Sequence, residues 1–143
     1  MECLHDWYEN LFNNQSTHVI YTDIQKAFDS VNHIKLISIL KSYGINETLQ
    51  QWIENFLSDR KQMVAIEDVL SSPCPISSGI PQGSILGPLL FLIYINDIDV
   101  CAHPLQDTGR ISLFADDAKM YATDPPTLQH SLNLVGDWLQ NIN

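Results

Sequence analysis

The chain has 143 residues and a formal net charge of −10, with 17 Asp and Glu against 7 Lys and Arg. This length suits one domain with a sizeable core, and an apolar fraction of 45% argues against wholesale disorder. The negative charge argues against tight binding of the isolated chain to a phosphate backbone, because such binding depends mainly on Lys and Arg. It fits a carboxylate metal site or simple solubility.

The cysteine pattern and the first residues indicate an intracellular protein of the cytoplasm or nucleus. Cys3, Cys74 and Cys101 are far apart and form no CxxC pair, so we expect neither a zinc site nor a disulfide framework. The first residues lack the basic start and apolar stretch of a signal peptide. The longest apolar run, residues 85–95, is too short to span a bilayer, so no membrane contact is expected.

The first half of the chain predicts one strand among helices. An apolar pattern over residues 2–13 predicts a short helix, and a β-rich run from His18 predicts a strand that ends at Asp23. Helical spacing returns over residues 34–42, with Gly44 as the stop, and again in a helix that Asn46 or Thr48 would cap and that runs through Leu57. The side chains expected to be buried on the last of these helices are Leu49, Trp52, Ile53, Phe56 and Leu57.

The second half of the chain predicts a hairpin and two helices. Residues 62–66 and 71–78 read as the arms of a hairpin around Glu67-Asp68. A loop rich in Gly and Pro then leads into a very apolar helix that starts near residues 84–87. After Pro125-Pro126, which we expect to break the chain, a final amphipathic helix follows.

Two adjacent aspartates, Asp116 and Asp117, lie between two alternating apolar runs. The alternation predicts a β-hairpin whose tight turn is the acidic pair. Two-residue turns prefer Asn-Gly or Asp-Gly because their central residues need positive φ, so Asp-Asp is strained there and sets like charges side by side. A divalent cation would offset that charge, and a metal-binding carboxylate pair is one interpretation. A solvated acidic turn is the other.

The order of the elements predicts an α+β fold. Strand, helices, apolar helix, hairpin and final helix would form a small antiparallel sheet with helices packed on one face. This arrangement is close to the split βαβ, or ferredoxin-like, unit.

Two further motifs carry residues suited to chemistry. Asp23 ends a strand, where a carboxylate is rigid and exposed and suits a hard cation. The alternative is purely structural: Asp23 caps the next turn, and Phe28 is a core residue. In the loop from Gly79 to Gly83, glycine lets a ligand approach the backbone, and Gln82 offers both donor and acceptor. An ordinary loop entering a buried helix is the alternative.

These three motifs together resemble the reverse transcriptases of non-LTR (LINE-type) retrotransposons. The resemblance runs from about Val19 to the C-terminus, and the motifs stand in the family's order at plausible spacing. They read Tyr21-Thr-Asp23-Ile-Gln-Lys-Ala-Phe28-Asp29, Ser78-Gly-Ile-Pro-Gln-Gly-Ser-Ile-Leu-Gly-Pro88 and Phe114-Ala-Asp-Asp117.

The resemblance implies the palm of an RNA-directed DNA polymerase. Such a palm transfers a nucleotide from a dNTP to a primer 3′-hydroxyl with two Mg²⁺ ions. The resemblance implies that Asp23 and Asp116 are metal ligands and that Asp117 is a supporting ligand. It implies the main-chain carbonyl of Ile24 as an extra ligand.

The resemblance also implies the residues that contact the nucleotide. Phe28 stands at the family's steric-gate position, where its ring would exclude a ribose 2′-hydroxyl. Gln82 and Gly83 would line the nucleotide pocket, together with Phe114 and Ala115. Phe114 replaces the Tyr often found at its position, which loses only a hydroxyl.

The resemblance further implies that residues 1–143 are a partial reverse transcriptase domain, a palm without fingers and thumb. RNA template, DNA primer and dNTP would be partners of the full-length enzyme, and this acidic chain alone would bind nucleic acid weakly. One alternative is a catalytically inactive retroelement fragment that acts at most as an interaction module. Another is an unrelated Mg²⁺-dependent phosphotransferase or nuclease, which would need neither the Pro-Gln-Gly loop nor Phe28.

Overall fold

The computed structural model describes residues 2–102 and 109–141. Within these ranges the chain forms helices and short antiparallel strands. In chain order they are α1 (Glu2–Phe12), β1 (His18–Asp23), α2 (His33–Ser42), α3 (Glu47–Leu57), β2 (Lys61–Gln62), β3 (Ala65–Ile66), β4 (Val69–Leu70), β5 (Cys74–Pro75), α4 (Leu86–Ala102), β6 (Arg110–Phe114), β7 (Asp117–Ala122) and α5 (Pro125–Asn141).

The chain divides into two compact units. Residues 1–27 and 95–143 form the first, which we call the sheet unit. Residues Phe28–Tyr94 form the second. The sheet unit contains a three-stranded antiparallel sheet in the order β1-β7-β6, so β7 is its central strand.

One face of this sheet, which we call the inner face, forms part of the core. Ala118 and Met120 of β7 lie on it and are 2% and 0% exposed. Helix α5 packs against β7 and β1. It lies on the inner face, because a Cβ built on Gly109 would be 3.1 Å from the Cβ of Ala122, an inner-face residue of β7, and 3.2 Å from the Oγ of Ser131 in α5. The predicted alternation is confirmed in β6, where half-buried and exposed residues alternate, and in β7 from Asp117 to Met120; beyond Met120 both faces of β7 are buried.

Helix α1 lies on the opposite, outer face, so the expectation of helices on one face is wrong. The Trp7 ring meets the Tyr121 ring edge-on at 5.9 Å, and the Tyr121 hydroxyl donates to Asp6 Oδ2 at 2.6 Å. Arg110 Nε lies 3.3 Å from the same carboxylate oxygen. The prediction failed because periodicity locates the apolar stripe of a helix but not the sheet face that receives it.

Pro125-Pro126 opens α5 rather than breaking the chain. The side chain of Asp124 accepts a hydrogen bond from Thr127 N at 2.9 Å and so caps the helix. This hydrogen bond holds the pKa of Asp124 below its usual range. Proline is tolerated in a first helical turn because the N–H groups there have no partner within the helix.

In the Phe28–Tyr94 unit, α2 and α3 form a capped helical pair. The side chain of Asn32 accepts from Lys35 N at 3.1 Å, and that of Asn46 accepts from Leu49 N at 2.9 Å. Gly44, with φ of +75°, ends α2 as expected. The most deeply buried side chains of the unit are Val31, Leu36, Leu40, Leu57 and Leu90.

The apolar stripe predicted for α3 is only partly buried. Ile53 and Leu57 are buried, but Leu49 and Trp52 are 42% and 53% exposed. Trp52 stacks on the half-buried Phe56 with ring centroids 6.0 Å apart. The helix therefore presents more apolar surface than its neighbours in the structure cover.

The hairpin predicted over residues 62–78 is present as two nested strand pairs. β2 pairs with β5 and β3 with β4, and Glu67 at the turn has φ of +52°. The apolar side chains at its tip are 63–72% exposed and comprise Val64, Ile66, Val69 and Leu70.

These elements make a mixed α+β chain, as the sequence predicts. In the described ranges, no helix combines the length and apolar character needed to cross a membrane.

Candidate active site

Asp23 and Asp117 lie directly opposite each other at one end of the sheet. They are paired residues of β1 and β7, and both side chains are exposed. Directly opposed residues have Cβ atoms roughly 4.5–5.5 Å apart, and like charges in such a pair destabilise a sheet. A cation bound between these carboxylates would offset the repulsion.

The turn between β6 and β7 is Ala115-Asp116, which corrects the predicted Asp116-Asp117 turn. Phe114 pairs with Asp117, so Asp117 is already the first residue of β7. Ala115 has φ of +53°, and this left-handed conformation costs an L-residue roughly 1–2 kcal/mol. Only Ala115 of the two turn residues has a positive φ, as in a type II′ turn. This register leaves one aspartate, rather than two, in the turn.

Backbone hydrogen bonds tie this turn to the end of β1. Ile24 N donates to the Asp116 carbonyl at 3.2 Å, so the turn lies beside the residue that follows Asp23. The Ile24 carbonyl accepts from Ala27 N at 3.1 Å and retains a second lone pair for a ligand. All three aspartates therefore belong to one end of the sheet, which we call the acidic end.

Lys119 lies on the outer face but is held by aromatic rings. Its Nζ is 5.2 Å from the centroids of both Trp7 and Tyr21, and 3.9 Å from Cys3 Sγ. Such cation–π contacts contribute about 0.5–2 kcal/mol each. In residues 2–102 and 109–141, no Lys, Arg or His lies within ion-pair distance of the three aspartates. Within this part of the chain, the carboxylates of the acidic end therefore have no direct ion-pair partner.

A cavity of about 420 Å³ opens on the outer face beside the acidic end. Phe114 and Tyr21 are 82% and 69% exposed and present ring surface next to the carboxylates. The lining side chains include Tyr21, Asp23, Ser112, Phe114, Asp117 and Lys119.

The donor set of the acidic end fits a hard divalent cation. Mg²⁺ is commonly held by one or two carboxylates and completes its shell with water and substrate phosphates. Asp23 and Asp117 supply two opposed carboxylates, and Asp116 supplies a third in the adjoining turn. Among the described residues, no three or more His, Cys, Asp or Glu side chains form a ready-made metal cage. These carboxylates therefore fit a Mg²⁺ site whose remaining ligands are oxygen atoms of water or of substrate phosphates.

The other predicted site residues lie in the Phe28–Tyr94 unit. The half-buried Phe28 ring stacks on Phe91, with centroids 4.4 Å apart and planes 20° from parallel. Ile80 N donates to the Phe28 carbonyl at 2.9 Å, and Gln82 Nε2 lies 3.4 Å from Asp29 Oδ1. The structure thus brings Phe28 and the loop of Gln82 together within this unit.

Gly79 and Gly83 serve this loop in different ways. Gly79 has φ of +89°, and a Cβ there would lie 2.8 Å from Asp29 Cα, so only glycine fits against the turn. Gly83 has φ of +78° with open space around it. Its exposed backbone is therefore accessible to a ligand.

His33, which belongs to none of the three sequence motifs, holds the same loop. His33 Nε2 lies 2.7 Å from the Gly79 carbonyl. Because a carbonyl oxygen only accepts, this nitrogen carries the hydrogen. Asn32 as an N-cap indicates that His33 begins α2, but no sequence signal indicates a partner 46 residues away.

A comparison with protein families identifies the class of this chain. Residues 2–143 match the family described as Reverse transcriptase (RNA-dependent DNA polymerase). The chain therefore belongs to the reverse transcriptase family.

Its relatives include RNA-directed DNA polymerases of non-LTR retrotransposons. The polymerase from mobile element jockey of Drosophila funebris is 41% identical over 129 residues, which are 82% of this chain and 14% of that relative. The jockey polymerase of Drosophila melanogaster is 31% identical over 133 residues, 86% of this chain and 14% of the relative. The probable polymerase from transposon BS of Drosophila melanogaster is 33% identical over 115 residues, which are 73% of this chain and 12% of that relative. The chain thus spans a small part of these relatives.

Proposed function

We propose that this chain is the palm of a non-LTR retrotransposon reverse transcriptase and takes part in RNA-directed DNA synthesis. The observation that carries the proposal is the register that sets Asp23 opposite Asp117 with Asp116 in the adjoining turn. Membership of the reverse transcriptase family supports it, because polymerases of this kind require a divalent metal. The antiparallel sheet with its helices is compatible with a split βαβ palm.

The proposed role of the acidic end is to hold two Mg²⁺ ions. Asp23 and Asp116 are the main ligands, Asp117 supports them, and the free lone pair of the Ile24 carbonyl adds a further ligand. When bound, the ions supply Lewis acidity that lowers the pKa of the primer 3′-hydroxyl and offsets charge on the triphosphate. The paired strands hold the carboxylates in a fixed geometry, which is the main contribution of the protein to such a transfer.

The proposed role of the Phe28–Tyr94 unit is to recognise the incoming nucleotide. Phe28, braced by Phe91, occupies the space of a ribose 2′-hydroxyl and so selects dNTPs. The exposed amide of Gln82 and the bare backbone of Gly83 contact the nucleotide. In the sheet unit, Phe114 and Ala115 lie beside the acidic end and are also assigned to nucleotide binding; the exposed Phe114 ring offers base stacking worth about 1–3 kcal/mol.

The proposed partners are an RNA template, a DNA primer and dNTPs. The net charge of −10 opposes binding of a phosphate backbone, so the chain alone is expected to bind nucleic acid weakly. We propose that residues 1–143 act as a partial reverse transcriptase domain, with fingers and thumb contributed by other parts of a longer protein.

Primer extension on an RNA template, with Mg²⁺ and dNTPs, tests this function. Two proteins are assayed. One is the 143-residue chain alone; the other, the exchanged polymerase, is the Drosophila funebris jockey polymerase in which this chain replaces the aligned segment. Asp116→Asn should lower the rate of the exchanged polymerase by about 10³-fold, because losing a metal ligand removes several kcal/mol of charge stabilisation. Asp137→Asn, at an exposed position of α5, is the matched control and should leave the rate unchanged.

The two arms separate the parts of the proposal. A folded exchanged polymerase without activity, or full activity in Asp116→Asn, would count against the catalytic assignment. Efficient extension by the 143-residue chain alone would contradict the proposal that it is a partial domain. If the exchanged polymerase is also inactive, the result favours the alternative, a catalytically inactive retroelement fragment that acts at most as an interaction module.

A further inference from the structure

The loop that carries Gln82 is clamped onto the turn that carries Phe28. The clamp consists of hydrogen bonds that join residues 78–80 to residues 28–33 across the Phe28–Tyr94 unit. They run from Ser78 Oγ to the Asp29 carbonyl at 3.0 Å, from Gly79 N to the Val31 carbonyl at 2.8 Å, from Ile80 N to the Phe28 carbonyl at 2.9 Å, and from His33 Nε2 to the Gly79 carbonyl at 2.7 Å.

His33 is the member of this clamp that is anchored on a helix. It is the first residue of α2, and the Asn32 side chain that precedes it caps the helix through Lys35 N at 3.1 Å. Asn32 N also donates to the Tyr94 hydroxyl at 3.2 Å. The imidazole is half-buried, so its position is set by packing as well as by the hydrogen bond.

The clamp leaves the loop little freedom to move toward the turn. A Cβ on Gly79 would lie 2.9 Å from the Asp29 carbonyl oxygen, so the two backbones are already in close contact. The next residue, Ile80, holds the Phe28 carbonyl, and the Phe28 ring rests on Phe91 at 4.4 Å. A shift of the Gly79 carbonyl would therefore pass through Ile80 to the backbone of Phe28.

We infer that His33 is a positioning residue for sugar discrimination. By holding the Gly79 carbonyl, it fixes Phe28 and thereby the distance between the Phe28 ring and the 2′ position of a bound nucleotide. This inference rests on the proposed role of Phe28 as the sugar gate. His33 itself touches neither nucleotide nor metal.

Equilibrium binding of dGTP and of GTP to the full ¹⁵N-labelled chain in the presence of Mg²⁺ tests the inference. Removal of one hydrogen bond in His33→Ala should reduce the preference for dGTP by about 2- to 12-fold. His33→Gln should restore the preference, because the Gln side-chain N–H stands the same number of bonds from Cα and can donate to the carbonyl. His130→Ala, at an exposed position of α5, is the control and should keep the native preference.

The amide resonances of Gly79 and Ile80 provide a readout independent of nucleotide binding. They should shift in His33→Ala and return toward the native positions in His33→Gln. A native chain that prefers dGTP while His33→Ala keeps the same preference would overturn the inference alone. A preference lost in His33→Ala and not regained in His33→Gln, despite restored resonances, would also overturn it. A native chain without any preference would overturn both the gate role of Phe28 and this inference.

Discussion

The Tyr121 side chain links the central strand β7 to α1 by a hydrogen bond to Asp6. The residue is 5% exposed, and its hydroxyl donates to Asp6 Oδ2 at 2.6 Å. Burial, together with the hydrogen bond to Asp6 and its negative charge, raises the pKa of Tyr121 well above its usual range. The neutral phenol is therefore favoured by the folded state more than by the unfolded chain.

The free energy of unfolding should consequently fall with pH above about 10, where an unfolded Tyr titrates. In that window the unfolded chain releases the proton while folded Tyr121 retains it, so stability falls until pH reaches the raised pKa. The slope from this one proton is about 1.4 kcal/mol per pH unit. Urea unfolding between pH 8 and 11.5 measures it.

Tyr121→Phe removes the titrating hydroxyl and should remove this part of the slope. Tyr8→Phe, at a tyrosine that is 71% exposed, should leave the native profile in place. Equal pH profiles for the native chain and Tyr121→Phe would contradict the argument.

The sequence singles out the aspartates of the acidic end, but it does not predict which of them lie in the turn and which in a strand. Asp116 and Asp117 break the usual chemistry of a tight turn, and that local conflict singles them out. Which residue takes the positive φ depends on the strand register, and the structure assigns it to Ala115. A shift of one residue moves Asp117 from the turn to the pair with Asp23.

Among the elements, α3 shows how a helix end is specified locally. The Asn46 side chain accepts from Leu49 N at 2.9 Å and satisfies one donor of the first turn. Asn46→Ala should lower the free energy of unfolding by about 1 kcal/mol, whereas Asn46→Asp should retain the cap and most of the stability. Denaturant titration of the three chains checks this, and equal stability of Asn46→Ala and the native chain would contradict it.

The bounds of α3 are confirmed within a residue or two, because caps and apolar spacing are local signals. The burial of its stripe was not predictable in the same way. Leu49 and Trp52 share the apolar face with Ile53, yet they remain exposed. Periodicity states which face is apolar, whereas the width that is covered depends on partners distant in the sequence.

For the whole molecule, charge links stability to metal. A net charge of −10 and opposed carboxylates at the acidic end both favour a bound cation. A ligand that binds only the folded chain, at ten times its dissociation constant, adds about 1.4 kcal/mol to the free energy of unfolding. Mg²⁺ should therefore stabilise the native chain beyond the effect of NaCl at equal ionic strength.

Asp23→Asn should reduce this Mg²⁺-specific increment, and Asp137→Asn should not. Urea unfolding with and without MgCl₂ measures the increment in each chain. If NaCl reproduces the whole effect, or if both variants lose it equally, the acidic end is not the site where Mg²⁺ stabilises the chain.

The sequence by itself determined the types and order of the elements and the motifs of the reverse transcriptase family. These depend on residue type and on spacing over a few residues, which a single chain displays directly. Tertiary structure alone decided that α1 covers the outer face, that Ala115 takes the strained turn position, and that His33 meets Gly79 across 46 residues. Each of these depends on packing and register between segments far apart in the chain, for which local periodicity carries no signal.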